Sequence, residues 1–293
     1  MRFGRSIAIV AATLSAAALT SCGTNVIPGV TNNFIDGNWN LTGSGPFAQL
    51  PAISGVLIVI DNQVSGNFAI AVQCASSASI GGAGLTLTGP IAPSGAFVLS
   101  QPAPTSGLTP TMQIKITGAL PAAADSSWSG TYSITSHDTG CAVNQSGTFT
   151  ATRYTALTGD YVGSPSNARL GSAVTLTASL TQAPAPLDDS ASANQPFVIP
   201  YIPVSGTLTV TNSPCFTQGT MTTPNIAAPL AGVIGSFFSF DFSMNDGSTL
   251  TLTGEIADTA ATQLNGLPGQ GANLLVNGGN CAGAFTTVPF IRQ

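Results

Sequence analysis

The chain has 293 residues, of which 6% are charged and 43% hydrophobic, with 33 glycines, 20 prolines and a formal net charge of −5. So little charge excludes a coiled coil, a basic nucleic-acid binder and a charged disordered tail, and the glycines and prolines are too frequent for long helices. The class that fits is globular and all-β, with enough apolar side chain for one large core or two ordinary ones.

Arg2 and Arg5 precede an uncharged apolar stretch from Ile7 to Leu19, followed by small residues and Cys22. This is the layout of a secretory signal peptide, with an apolar region too short to remain as a membrane-spanning helix. Leu19-Thr20-Ser21-Cys22 resembles the lipobox of bacterial lipoproteins, in which an aliphatic and two small residues precede a cysteine that is acylated and becomes the new N-terminus. The resemblance implies removal of residues 1–21, lipidation of Cys22 and a membrane as partner through the attached acyl chains. Each such chain contributes about 0.8 kcal/mol per buried methylene, and several together hold stably. By the sorting rule of enteric lipoproteins, Gly23 implies passage to the outer membrane. Residues 22–33, with Pro28 and Gly29, then form the anchor and a short tether. Without the leader, four basic side chains (Lys115, Arg153, Arg169, Arg292) face eleven acidic ones, for a net charge of −7. Nucleic acid and anionic head groups are repelled by such a surface.

Beyond the tether, aliphatic and hydroxyl residues alternate in Leu85 to Thr88, Ile114 to Thr117, Val174 to Thr177, Leu208 to Thr211 and Leu250 to Thr253. Period-two alternation places the aliphatics on one face and threonine on the other, the pattern of antiparallel sheet with one buried and one wet side. Asp61-Asn62 and Asn245-Asp246-Gly247 mark hairpin turns between such runs. Six to eight strands are expected per half, and only Asp258 to Leu264 reads as helical.

Landmarks recur along the chain. Ser65 to Cys74 corresponds to Ser205 to Cys215, Gly95-Ala96-Phe97 to Gly235-Ser236-Phe237, Ile116-Thr117-Gly118 to Leu252-Thr253-Gly254, and Cys141 to Cys281, at offsets of 136 to 141. Gly37-Asn38-Trp39 corresponds to Gly159-Asp160-Tyr161 at an offset of 122, so the second half carries an insertion. A duplicated unit follows, with β domains at residues 34–156 and 157–293 and the insertion at 182–203. The repeat selects one of the three pairings open to the last four cysteines: Cys74 with Cys141 and Cys215 with Cys281. In an exported protein both pairs are expected to be oxidised.

Barrels and sandwiches both fit this pattern. An immunoglobulin-like sandwich needs a tryptophan after the first cysteine and a tyrosine two residues before the second, and Thr139 and Gly279 occupy the tyrosine positions. The opening Gly37-Asn38-Trp39 resembles the Gly-x-Trp start of lipocalin-like barrels. That resemblance implies a basic residue near the barrel's end packed over the tryptophan, a part open to Arg153 against Trp39 and to Arg292 against Tyr161 by cation–π contact. It also implies, as one reading of function, a carrier of a small apolar ligand.

Little catalytic chemistry is indicated. His137 is the only imidazole, and its neighbour Asp138 points away from it on an extended chain, so a serine-type triad is not built here. The cysteines are too far apart for a zinc site, and calcium-loop and phosphate-loop motifs are missing from the sequence, so no cofactor or metal is expected. The insertion carries five prolines around Phe197, Tyr201 and Ile202, which could present apolar anchors to an envelope protein. Together these features point to a non-enzymatic, lipid-anchored envelope protein with two disulfide-stapled β domains, acting as a structural or binding module. The carrier is the first alternative and an envelope hydrolase the second.

Overall fold

The structure, a computed structural model, describes residues 34–44, 52–74, 79–102, 112–124, 127–138, 141–165, 173–190, 197–221, 232–266, 274–286 and 289–293. Cys22, the leader and the tether lie outside these residues.

In the first half, eight strands follow one another: β1 (Gly37–Ser44), β2 (Ala52–Ile60), β3 (Gln63–Gln73), β4 (Ser79–Pro90), β5 (Ala96–Ser100), β6 (Met112–Ala119), β7 (Trp128–Asp138) and β8 (Cys141–Arg153). Each pairs antiparallel with the next, and β8 pairs back onto β1, so the sheet closes into a barrel. The β2–β3 turn is made by Asp61 and Asn62, at φ of 49° and 63°, the left-handed pair that a tight hairpin demands.

In the second half the strands are β9 (Thr158–Gly163), β10 (Thr175–Gln182), β11 (Leu187–Asp188), β12 (Pro200–Tyr201), β13 (Val204–Thr211), β14 (Gln218–Met221), β15 (Gly232–Ile234), β16 (Phe237–Met244), β17 (Thr249–Ile256), β18 (Gln263–Asn265), β19 (Leu274–Asn277), β20 (Gly283–Phe285) and β21 (Phe290–Arg292). Eight of them form a second ring in chain order, β9-β10-β13-β14-β16-β17-β18-β21, closed by the pairing of β21 with β9. The extra strands are short. The β19–β20 hairpin continues the wall below β18 and β21 by pairing with β17, β15 lies beside β16, and β11–β12 is a ribbon inside the insertion. Both halves are therefore antiparallel barrels of eight strands, not sandwiches.

Threonine-rich alternation produces the walls as the pattern requires. In β17 and β16 every second residue is buried, and Leu250, Leu252, Phe240 and Phe242 point into the core. Several registers also correspond between the rings. Trp39 faces Arg153 across β1–β8, and Tyr161 faces Arg292 across β9–β21. Gly66 faces Leu57 and Gly206 faces Leu180. One sequence correspondence slips by a residue: Gly118 faces Phe97, whereas Gly254 faces Phe238 and not Phe237. The hairpin before β16 is one residue shorter than its counterpart before β5, which moves Phe238 into the inward place.

Cys74 is bonded to Cys141 and Cys215 to Cys281, with Cα separations of 4.8 and 6.1 Å. The first bridge ties the residue after β3 to the start of β8, and the second ties the β13–β14 connection to the β19–β20 turn, each at the end of its barrel away from Trp39 or Tyr161. The expected helix at Asp258 to Leu264 is instead a turn leading into β18. Ala261 takes a φ of 54°, and the Asp258 carboxylate accepts hydrogen bonds from both the backbone N–H and the hydroxyl of Thr262. That local carboxylate competes with helix formation and wins.

Candidate functional site at the junction of the barrels

An eight-stranded barrel is just wide enough for its own side chains to fill or for one small ligand. In the first barrel, Trp39 on β1, Phe97 on β5, Trp128 on β7 and Phe149 on β8 meet edge to face, with centroid separations of 5.1 to 6.1 Å centred on Trp128. Strands β1 and β5 are diametrically opposed in the ring, so these rings bridge the lumen. The second barrel is filled by Tyr161, Leu180, Leu208, Phe238, Phe240, Phe242, Phe285 and Phe290 among others, with Phe238 and Phe240 stacked at 4.9 Å.

The end of the first barrel is closed by the segment that leads into it. Ile35 is fully buried, its carbonyl accepts the Trp39 indole N–H at 2.7 Å, and the Phe34 carbonyl accepts Arg153 Nη2 at 2.7 Å. Above Trp39 the Arg153 guanidinium lies 4.7 Å from the ring centroid, the contact that the lipocalin-like motif implied for this pair. Asp36 accepts the Val59 N–H at 2.8 Å, and burial raises its carboxyl to about 6 against the lowering effects of that bond and of Arg153. Arg292 has the corresponding register with Tyr161, and its Nε lies 3.5 Å from where a Cβ on Gly159 would sit. The Tyr161 hydroxyl donates to the Ala261 carbonyl at 2.8 Å, and burial raises its phenol against the pull of Arg292.

The barrels meet through a seam that the sequence does not announce. Asn38, Val56 and Asn67 stand side by side on the outer face of β1, β2 and β3, and all are at most 2% exposed. Over this wall pack β12 and the β15–β16 hairpin, with Ile202 and Ile234 buried. Asn38 Nδ2 donates to the Gly235 carbonyl at 2.7 Å, and the Ser236 N–H donates to Ser54 Oγ at 2.8 Å. Gly235 has a φ of 62°, and a Cβ there would come within 2.3 Å of Ser54 Oγ, so only glycine suits this turn. Tyr154, buried in the connection between the barrels, hydrogen-bonds to Ser54 and Ser236, and burial pushes its phenol up to about 12.

Beside the seam lies a cleft of about 570 Å³, within the range of small-molecule sites. Its walls come from three sources: strand ends of the first barrel (Asn38, Thr152, Arg153), the connection (Thr155, Ala156) and the start of the insertion (Gln182, Pro184), with Ile202 at one side. Arg153, whose guanidinium lies over Trp39 and holds the Phe34 carbonyl, is the single charged residue in this lining. Among the described residues no three His, Cys, Asp or Glu side chains converge as metal ligands.

Of the residues singled out in the insertion, Phe197 and Tyr201 are half-buried and Ile202 is buried in the seam, where it bridges to Val233. His137 lies near the end of β7, opposite Ala142. Sequence reasoning missed Asn38, Ser54, Tyr154 and Gly235, because a buried polar residue on the outer side of a strand leaves the same alternating pattern as an exposed one. No family model matches the sequence, and neither a curated protein nor a solved structure matches it.

Proposed function

We propose that this chain is a non-enzymatic, exported lipoprotein, anchored to the outer membrane through Cys22, that serves as a rigid structural or binding module of the cell envelope. The observation that carries the reading is the filling of both lumens by the protein's own side chains: the first by four aromatic rings and the second by a cluster of phenylalanines and leucines. Rigidity is served as well by two disulfides and by the hydrogen-bonded seam, and export is the setting in which such bridges form. A partner, whether an envelope protein or a small ligand, would engage the outer surfaces and the cleft at the junction. Metabolic labelling with a palmitate analogue tests the anchor. Wild-type protein in the membrane fraction takes up label and Cys22→Ser does not; equal labelling, or wild-type protein free of label, overturns it.

One observation favours the second reading, a lipocalin-like carrier: the Gly37-Asn38-Trp39 opening with Arg153 packed over the tryptophan. Its ligand would displace side chains from a lumen or occupy the cleft.

A further inference from the structure

The seam is a head-to-tail contact between two barrels of the same strand order, since a hairpin of the second covers the outer wall of the first. Contacts of this kind can repeat without end, because each copy leaves one hairpin and one wall unused. The unused wall here is the matching face of the second barrel and the unused hairpin is the matching turn of the first. Both can be located by register.

On the wall, Asn38, Val56 and Asn67 correspond to Asp160, Ser179 and Thr207, which likewise stand side by side across β9, β10 and β13. All three are exposed, and Ser179 Oγ donates to Asp160 at 2.6 Å. The valine at the centre of the seam is thus a serine here. The asparagine whose N–H meets the Gly235 carbonyl is a carboxylate, which would repel that carbonyl. On the hairpin, Val233 facing Phe238 corresponds to Ile91 facing Phe97, so Ala92 takes the place of Ile234. Ala92 is exposed, whereas Ile234 is buried in the seam. In place of the insertion, whose β12 covers β2 and β3, the first barrel has only the Asp61-Asn62 turn.

We infer that the barrel-on-barrel contact is a stacking interface closed off at both outer ends, so that the chain is a discrete two-barrel unit with no tendency to extend into filaments. The inference is independent of the lipid anchor and of the carrier reading. The valine and the amide donors of the seam wall are replaced by a serine, a threonine and a carboxylate on the free wall, and the seam isoleucine of the hairpin by a small alanine, the kind of substitution by which exposed faces of repetitive folds avoid association.

Sedimentation velocity on the chain from residue 23 onward tests it. The wild type should sediment as a monomer at every concentration up to the millimolar range. The variant Ala92→Ile/Asp160→Asn/Ser179→Val, checked by circular dichroism for an unchanged fold, should self-associate with rising concentration. A wild type that forms chains, or a folded triple variant that stays monomeric throughout, overturns the inference. A second variant guards against misfolding of the first. Asn38→Asp places in the seam the carboxylate found at position 160, and should raise amide exchange at Ser236, whose N–H is bonded to Ser54, at least tenfold while strands facing the lumens keep their protection. Unchanged exchange at Ser236 would equally count against it.

Discussion

Arg153, the last residue of the first barrel, lies over Trp39 in its first strand and also holds the Phe34 carbonyl in the segment that leads in. One guanidinium therefore links the aromatic core to the segment that closes the barrel end. Arg153→Ala is expected to cost about 2 kcal/mol, from loss of the cation–π contact and of the hydrogen bond to a part-buried carbonyl. Arg153→Lys should recover only part, because an ammonium cannot both lie flat on the ring and reach Phe34. Thermal melting with tryptophan fluorescence measures both, and equal stability of the Ala and Lys variants would count against the stacked geometry.

Asp36 makes stability depend on pH. Its carboxyl is raised from 3.8 to about 6, chiefly by burial, so the folded protein holds the proton more tightly than the unfolded chain. The corresponding stability is fully present below the unfolded value and is lost as pH rises through 6. Asp36→Asn keeps an oxygen for the Val59 N–H and removes the charge. It should melt higher than the wild type above pH 6, with the difference shrinking towards pH 4. A difference that does not vary with pH would show that Asp36 is not the group responsible.

At the seam, Tyr154→Phe removes a hydroxyl shared with Ser54 and Ser236 and should cost about 1 kcal/mol. Gly235→Ala should cost more, about 1–3 kcal/mol, since it combines a left-handed backbone with a Cβ driven against Ser54. Amide exchange should rise at the seam in both variants. The reverse order of severity would mean that the Gly235 turn is free to move away from the wall.

Each disulfide closes a loop of nearly 70 residues, 67 and 66 apart in sequence, and is expected to contribute about 4 kcal/mol in the chain-entropy model. Replacing Cys74 and Cys141 together by serine should therefore lower the denaturant midpoint by about as much as replacing Cys215 and Cys281. Non-reducing peptide mapping should return the two intra-barrel links. A Cys74–Cys215 peptide would contradict the fold itself.

Much of this architecture was legible in the sequence. Strands such as Leu250 to Thr253 betray themselves by alternation, and the cysteine pairing follows from matching Cys74 with Cys215 and Cys141 with Cys281. Barrel and sandwich could not be separated, because closure depends on β8 reaching β1, and local periodicity carries no record of that pairing. Asp258 to Leu264 misled because its alanines favour a helix, while the Asp258 carboxylate instead accepts the N–H and hydroxyl of Thr262 and holds the segment in a turn. The seam stayed hidden for a different reason. Asn38 and Asn67 are buried only because another barrel covers them, which no pattern within β1 or β3 can report.

Native mass spectrometry of the protein purified from its own envelope tests the central claim most directly. A rigid module with occupied lumens should give the mass of the acylated polypeptide with two disulfides and nothing more bound. A stoichiometric small molecule that stays with the protein through gentle desolvation, and leaves on unfolding, would contradict that claim and establish the chain as a carrier.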